Sequence, residues 1–164
     1  MSTSPHLLQV MGLKFARSIL NKDIDGEQKL WRAVVVNAFD DTLIELSDRK
    51  MSLFKISAHN WILKCSKEFE LVCYWGKLDP DDMVECYIKA LQHHNIKFNE
   101  RQLMWKQYDN LYRKMLSAEN KFDKKVKRKK VDDFRKIVLN TPTTLYNNSS
   151  SLNFGIVLYC IIFL

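Results

Sequence analysis

Apolar residues recur at helical spacing along several stretches of the chain, and turn-forming residues punctuate them. The clearest stretch is Glu27 to Glu45. There Leu30, Val34 and Ala38 form one stripe with Trp31, Val35 and Phe39 beside it, a face wide enough for a core helix. Ser47 to Lys50 breaks this pattern. A second helix is predicted from near Ser57 to about Cys65, carrying Ala58, Trp61 and Ile62 inward. Ser66 or Lys67 begins a third, with Phe69, Val72, Cys73 and Trp75 facing the core and Gly76 at a C-cap of positive φ. Asp79-Pro80 reads as an N-cap followed by proline in the first turn, with Asp81 and Asp82 on the favourable end of the helix dipole. That fourth helix runs through Val84, Ile88 and Leu91 to His93-His94-Asn95. A short extended piece leads to Asn99, which caps a long helix from Glu100 to beyond Met115, with Leu103, Met104, Tyr108, Leu111, Tyr112 and Met115 at helical spacing. This helix is expected to carry the tract Lys121 to Lys136 as a solvated extension. Met1 to Asp25 is loosely patterned; Leu13, Phe15, Ile19 and Leu20 fit either a short strand or a helical turn.

These elements predict an all-α fold, a compact bundle of four to five helices that includes a helix-turn-helix-like hairpin. The chain has only four glycines and three prolines in 164 residues, too few for a fold of many tight β-turns. The expected layout is an N-terminal arm (1–25), a helical domain (26–120), a basic extension (121–136) and an uncharged tail (137–164). Ile137 to Leu164 contains no charged residue. It reads either as a poorly ordered end or as the product of a shifted reading frame. As a helix its last thirteen residues would reach roughly 20 Å, short of a bilayer core of about 30 Å. A membrane anchor is therefore the less favoured reading of the tail.

Charge changes the picture. The formal net charge is +7, yet residues 121–136 hold nine Lys and Arg against three Asp, which leaves the rest of the chain close to neutral. Basicity belongs to one tract. Its candidate nucleic-acid-binding residues are Lys121, Lys124, Lys125, Lys127, Arg128, Lys129 and Lys130, which could neutralise phosphates without reading sequence. With only Phe122 and Phe134 nearby, base stacking has little to work with. The opposite sign gathers at Asp79, Asp81, Asp82 and Glu85, a candidate surface for a protein partner. These acids also oppose any use of the Lys67–Leu91 hairpin against DNA.

Catalytic and metal chemistry find no foothold. No phosphate loop, nucleophile elbow or H-E-x-x-H pattern occurs, and the adjacent pairs Asp40-Asp41 and Asp81-Asp82 diverge by about 100° on a helix. They read as a solvated face and a helix start. Cys73, Cys86, His93 and His94 match no common zinc spacing, so buried thiols and surface histidines are expected, with no metal and no cofactor. Met1 to Gln9 lacks the basic and apolar regions of a signal peptide, which favours free thiols and the cytoplasm.

Several blocks carry a resemblance: KLWRAVVVNAFDD (Lys29 to Asp41), AHNW (Ala58 to Trp61), EFELVCYWGKLDPDDMV (Glu68 to Val84), YIKAL (Tyr87 to Leu91) and the run RQLMWKQYDNLYRK. Across residues 13–116 the chain resembles a family of small uncharacterised proteins encoded by marine bacteriophages of cyanobacteria and pelagic bacteria. The resemblance implies an aromatic residue after Asp82, the last Asp of the Asp-Pro-Asp-Asp run, and a basic residue soon after Val84; Met83 and Glu85 stand there in this chain. The resemblance implies a context, the cytoplasm of an infected cell, and no mechanism. The functional expectation is a non-enzymatic accessory protein binding nucleic acid electrostatically. The alternatives are an adaptor for a host protein of the transcription or replication machinery, and a tail-anchored membrane protein.

Overall fold

The computed structural model describes residues 4–21 and 23–143, and the tail from residue 144 lies outside the described residues. Among the described residues there are seven helices and no strand, an all-α fold. They are α1 (Pro5–Leu20), α2 (Gly26–Thr42), α3 (Arg49–Leu63), α4 (Lys67–Trp75), α5 (Pro80–Gln92), α6 (Glu100–Leu116) and α7 (Lys121–Asn140). The expected number was four to five. The difference arises at the ends: the N-terminal arm is helical, and the basic tract is a helix of its own rather than a continuation of α6.

These helices form two compact units instead of one. Unit 1 comprises Met1–Ile44 and Ser57–Lys97, and unit 2 comprises Glu45–Ile56 and Phe98–Leu164. The chain thus leaves unit 1 and returns to it, and α3 is shared between the two.

In unit 1, α1 packs on α5 and α2 packs on α4. Leu7, Met11, Phe15 and Ile19 line the buried face of α1 at spacings of four residues. The helix bends at Gly12, whose φ of 85° is one that only glycine adopts freely. The core continues through Val35, Val36 and Phe39 of α2, Phe69 and Cys73 of α4, and Met83, Cys86 and Tyr87 of α5. Phe15 and Phe39 rings lie 4.8 Å apart, and Phe39 meets Tyr87 edge-on at 5.7 Å. The Tyr87 hydroxyl is satisfied inside the core by His59 Nδ1 at 2.6 Å.

Two sequence expectations fail in this unit. The inward stripe of α2 is rotated by one position, so that Leu30 and Val34 are exposed while Arg32 is buried. A buried arginine in a row of valines is the last residue that hydropathy would place there. Gly76 has φ of −82°, not a positive value; the left-handed position after α4 falls on Lys77, at φ 49°. Gly76 suits its position for a different reason. A Cβ there would sit 3.3 Å from both the Cγ and the backbone nitrogen of Arg32, so glycine lets α2 come this close to the end of α4.

Arg32 explains the close approach. Its Nε donates to the Gly76 carbonyl at 2.7 Å, and Nη1 donates to the carbonyls of Ser18 (2.8 Å), Ile19 (3.2 Å) and Asn21 (3.1 Å). One guanidinium therefore caps the C-terminal ends of both α1 and α4, where unsatisfied carbonyls and negative dipole ends converge.

In unit 2, α6 and α7 form an antiparallel hairpin. Trp105, Tyr108 and Met115 of α6 pack against Val131 and Val138 of α7, with Leu111, Tyr112 and Phe134 half-buried around them. Asn99 caps α6 through a full capping box with Gln102. The same end of α6 fixes the segment after Ile44: Gln102 Nε2 donates to the Leu46 carbonyl (3.0 Å), and Trp105 Nε1 to that of Ser47 (2.9 Å). Asp48 then caps the first turn of α3, so Ser47 to Lys50 is a helix start and not simply a break.

Candidate nucleic-acid interface

The basic tract is built as a helix by three local and tertiary features. Asn120 accepts a hydrogen bond from the Phe122 amide at 2.9 Å and starts α7. Val131, Phe134 and Val138 recur every three to four residues and seat the helix on α6. At the far end Arg101 of α6 donates Nε to the Thr141 carbonyl (2.8 Å) and Nη2 to the Leu139 carbonyl (2.9 Å), which caps α7. The tract is thus a scaffolded helix along α6, not the free, solvated arm that its charge alone suggested.

The apolar seam decides where the cations go. Lys121, Lys124, Lys125, Arg128, Lys129 and Lys130 are all exposed, and Lys127 is half-buried. Lys127 is engaged by Asp123 at 2.6 Å, four residues away on the same helix. Lys136 approaches Asp133 at 3.7 Å. Among the described residues the other six cations of the first three turns have no ion-pair partner. Lys121, Lys125 and Arg128 follow one another at spacings of four and three residues, and Lys124 lies four before Arg128, so these four share one flank. They also crowd the positive end of the helix dipole, where basic side chains weaken a helix. That placement concentrates positive potential at the start of α7. Because the hairpin is antiparallel, Lys114 in the last turn of α6 stands at this same end, also exposed; the sequence reading did not include it.

The acidic residues are placed very differently. Asp79 is the N-cap of α5, its Oδ1 accepting from the Asp81 and Asp82 amides at 2.9 and 3.2 Å. Lys14 of α1 bridges Asp82 (2.7 Å) and Glu85 (2.6 Å), and Lys89 adds a second contact to Glu85 at 2.6 Å. Hydrogen bonds from Lys14 and Lys89 hold the Glu85 carboxyl down at about 2. Of the four acids proposed for a protein partner, Asp79, Asp82 and Glu85 serve contacts within unit 1 and Asp81 does not; Asp79, Asp81 and Glu85 are exposed and Asp82 is half-buried.

Cys73 and Cys86 are buried in the core of unit 1, and burial pushes the Cys73 thiol up to about 12. His93 and His94 are exposed at the end of α5. Among the described residues no three His, Cys, Asp or Glu side chains gather where they could hold a metal ion. Asp40 and Asp41, read as a solvated face, are half-buried at the end of α2, and desolvation raises both carboxyls. Trp75, expected in the core, is 42% exposed and packs its ring 4.5 Å from that of Trp31. No described helix is long and apolar enough to cross a membrane; the segment Leu152 to Leu164, on which the anchor reading rests, lies outside the described residues.

No protein-family model, curated protein or solved structure matches the chain.

Proposed function

We propose that this chain is a non-enzymatic accessory protein that binds nucleic acid through the phosphate backbone, using the exposed cations of α7. The observation that carries the reading is the division of labour among charges. Lys14 and Lys89 are taken up by Asp82 and Glu85, while six cations are displayed together on a helix held rigid by its apolar seam. Displayed, unpaired cations attract polyanions because each phosphate neutralised releases a condensed counterion. The adaptor reading has less support, since three of its four acids are engaged within unit 1. The resemblance of residues 13–116 suggests the setting, a phage-encoded protein in the cytoplasm of an infected cell.

The test is a salt titration of binding to a labelled nucleic acid. With five or six phosphates engaged, log Kobs should fall against log salt with a slope on the order of −5. Replacing Lys121, Lys124, Lys125 and Arg128 by Gln should weaken binding at least tenfold at low salt and flatten the slope. Helix content should hold, because removing cations from the positive end of a helix dipole does not weaken the helix. Binding that is absent at about 50 mM salt, or unchanged in the variant, overturns the proposal.

A further inference from the structure

Resting on the reading of α7 as a phosphate-binding helix, we infer that its ligand is double-stranded nucleic acid, held without preference for base sequence. Three features of the helix lead there. Single-strand binders line a cationic track with aromatic platforms on which successive bases stack. Among the described residues beside the α7 cations only Phe122 is an open ring; Phe134 is half-buried against the seam with α6. One platform does not make a track. A flexible strand would therefore bind through charge alone, and on charge alone the duplex is the better ligand, with one negative charge per roughly 1.7 Å of axis.

The spacing of the cations agrees. Lys121 to Lys130 places six exposed, unpaired basic residues within roughly 14 Å of helix. The same length of duplex carries roughly eight phosphate charges, so the two densities are comparable. The helix is also stiff, because Asn120, the apolar seam and Arg101 fix its start, its length and its end. A preformed row of charges gains most from a ligand whose own charges are preformed, since neither partner then gives up conformational freedom.

Sequence neutrality follows from the residue types. Base edges in the major groove are read by bidentate Arg, Asn and Gln. Arg128 is the one such side chain among the exposed cations of the first three turns; the others are lysines, compact charges suited to phosphate and poor at discriminating bases.

The experiment compares three probes against the full chain in one buffer: two short duplexes of unrelated sequence and a single-stranded oligothymidylate of the same length. The two duplexes should bind within about twofold of one another and the single strand about tenfold more weakly. A single strand bound as tightly as the duplexes, or a clear preference between the duplexes, overturns this inference. It leaves the α7 reading standing provided the variant Lys121→Gln, Lys124→Gln, Lys125→Gln, Arg128→Gln still loses affinity for whichever probe binds. Failure of all three probes to bind overturns both.

Discussion

Unit 1 and unit 2 each bury one long cation, Arg32 and Lys55, and they hold it by different means. Arg32 faces carbonyls at two helix ends, so its fork of donors and the negative ends of two dipoles answer its charge. A guanidinium suits that place because it stays protonated even where desolvation lowers its pKa. Lys55 instead lies 4.7 Å from the centre of the Phe98 ring, with Glu45 as its charged neighbour. Desolvation outweighs that carboxylate and brings its ammonium down to about 8. The contrast teaches that two buried cations can differ in how easily they give up their proton, a fixed guanidinium keeping its charge where a lysine is brought close to neutrality. One unit uses its buried cation as a fastener, and the other holds one that burial makes easier to deprotonate. Outside the cores the pattern continues: Lys14 of unit 1 is matched to acids, whereas the α7 cations of unit 2 are left displayed.

The hardest way to break this comparison is Arg32→Ala. It strips the donors from carbonyls at the ends of α1 and α4, and urea unfolding should report a loss of about 4 kcal/mol. A loss under about 1 kcal/mol would mean that water serves those carbonyls as well as the guanidinium does. A smaller effect is expected at Lys55. Its folded pKa of about 8 lies below the unfolded value of 10.5, so above pH 8 the unfolded chain holds the extra proton and stability rises with pH. Between pH 8 and 9 the Lys55 contribution should approach 1 kcal/mol, read as the difference in slope between wild type and Lys55→Met. Through the same range and above it the raised Cys73 thiol works the other way in both proteins, because the unfolded thiol loses its proton first. Parallel profiles of the two proteins from pH 8 to 9 would contradict the burial argument. The smallest effect is a gain. Lys77 occupies a left-handed position that closes α4 in a Schellman arrangement, with the Leu78 amide donating to the Cys73 carbonyl at 2.9 Å. Lys77→Gly should raise stability by about 0.5–1 kcal/mol in a thermal melt, and a loss would show that the lysine makes a contact worth more than the strain.

What could be read beforehand was local. Ser66, Asp79 and Asn99 announce the starts of α4, α5 and α6 because a cap acts within three residues of itself. The same signal stands at Asp48 and Asn120, and Pro5 marks a first helical turn without a side-chain cap from Ser4. There the following residues, loosely apolar or heavily basic, did not look like a helix worth capping. The candidate interface was legible as composition, since every cation of α7 can be counted in the sequence. Its rigidity was not: Val131, Phe134 and Val138 make a narrow stripe inside a basic run, and their meaning depends on α6 being alongside. Arg32 and Lys14 escaped for the same reason. Gly76 lies 44 residues from Arg32 and Glu85 lies 71 from Lys14, distances over which periodicity carries no information, and the nearer Arg32 acceptors are carbonyls, which any sequence supplies.

The excursion of the chain between its two units has a consequence for synthesis and for dissection of the gene. Arg32 emerges from the ribosome long before Gly76 and Lys77, and the residues of Glu45–Ile56 emerge before the helices of unit 2 that will receive them. Neither unit can finish folding as its own stretch of messenger is read. Nor can a single truncation yield either one whole: a stop after Lys97 gives unit 1 a stray segment, and a start at Phe98 deprives unit 2 of the strip that Gln102 and Trp105 bind.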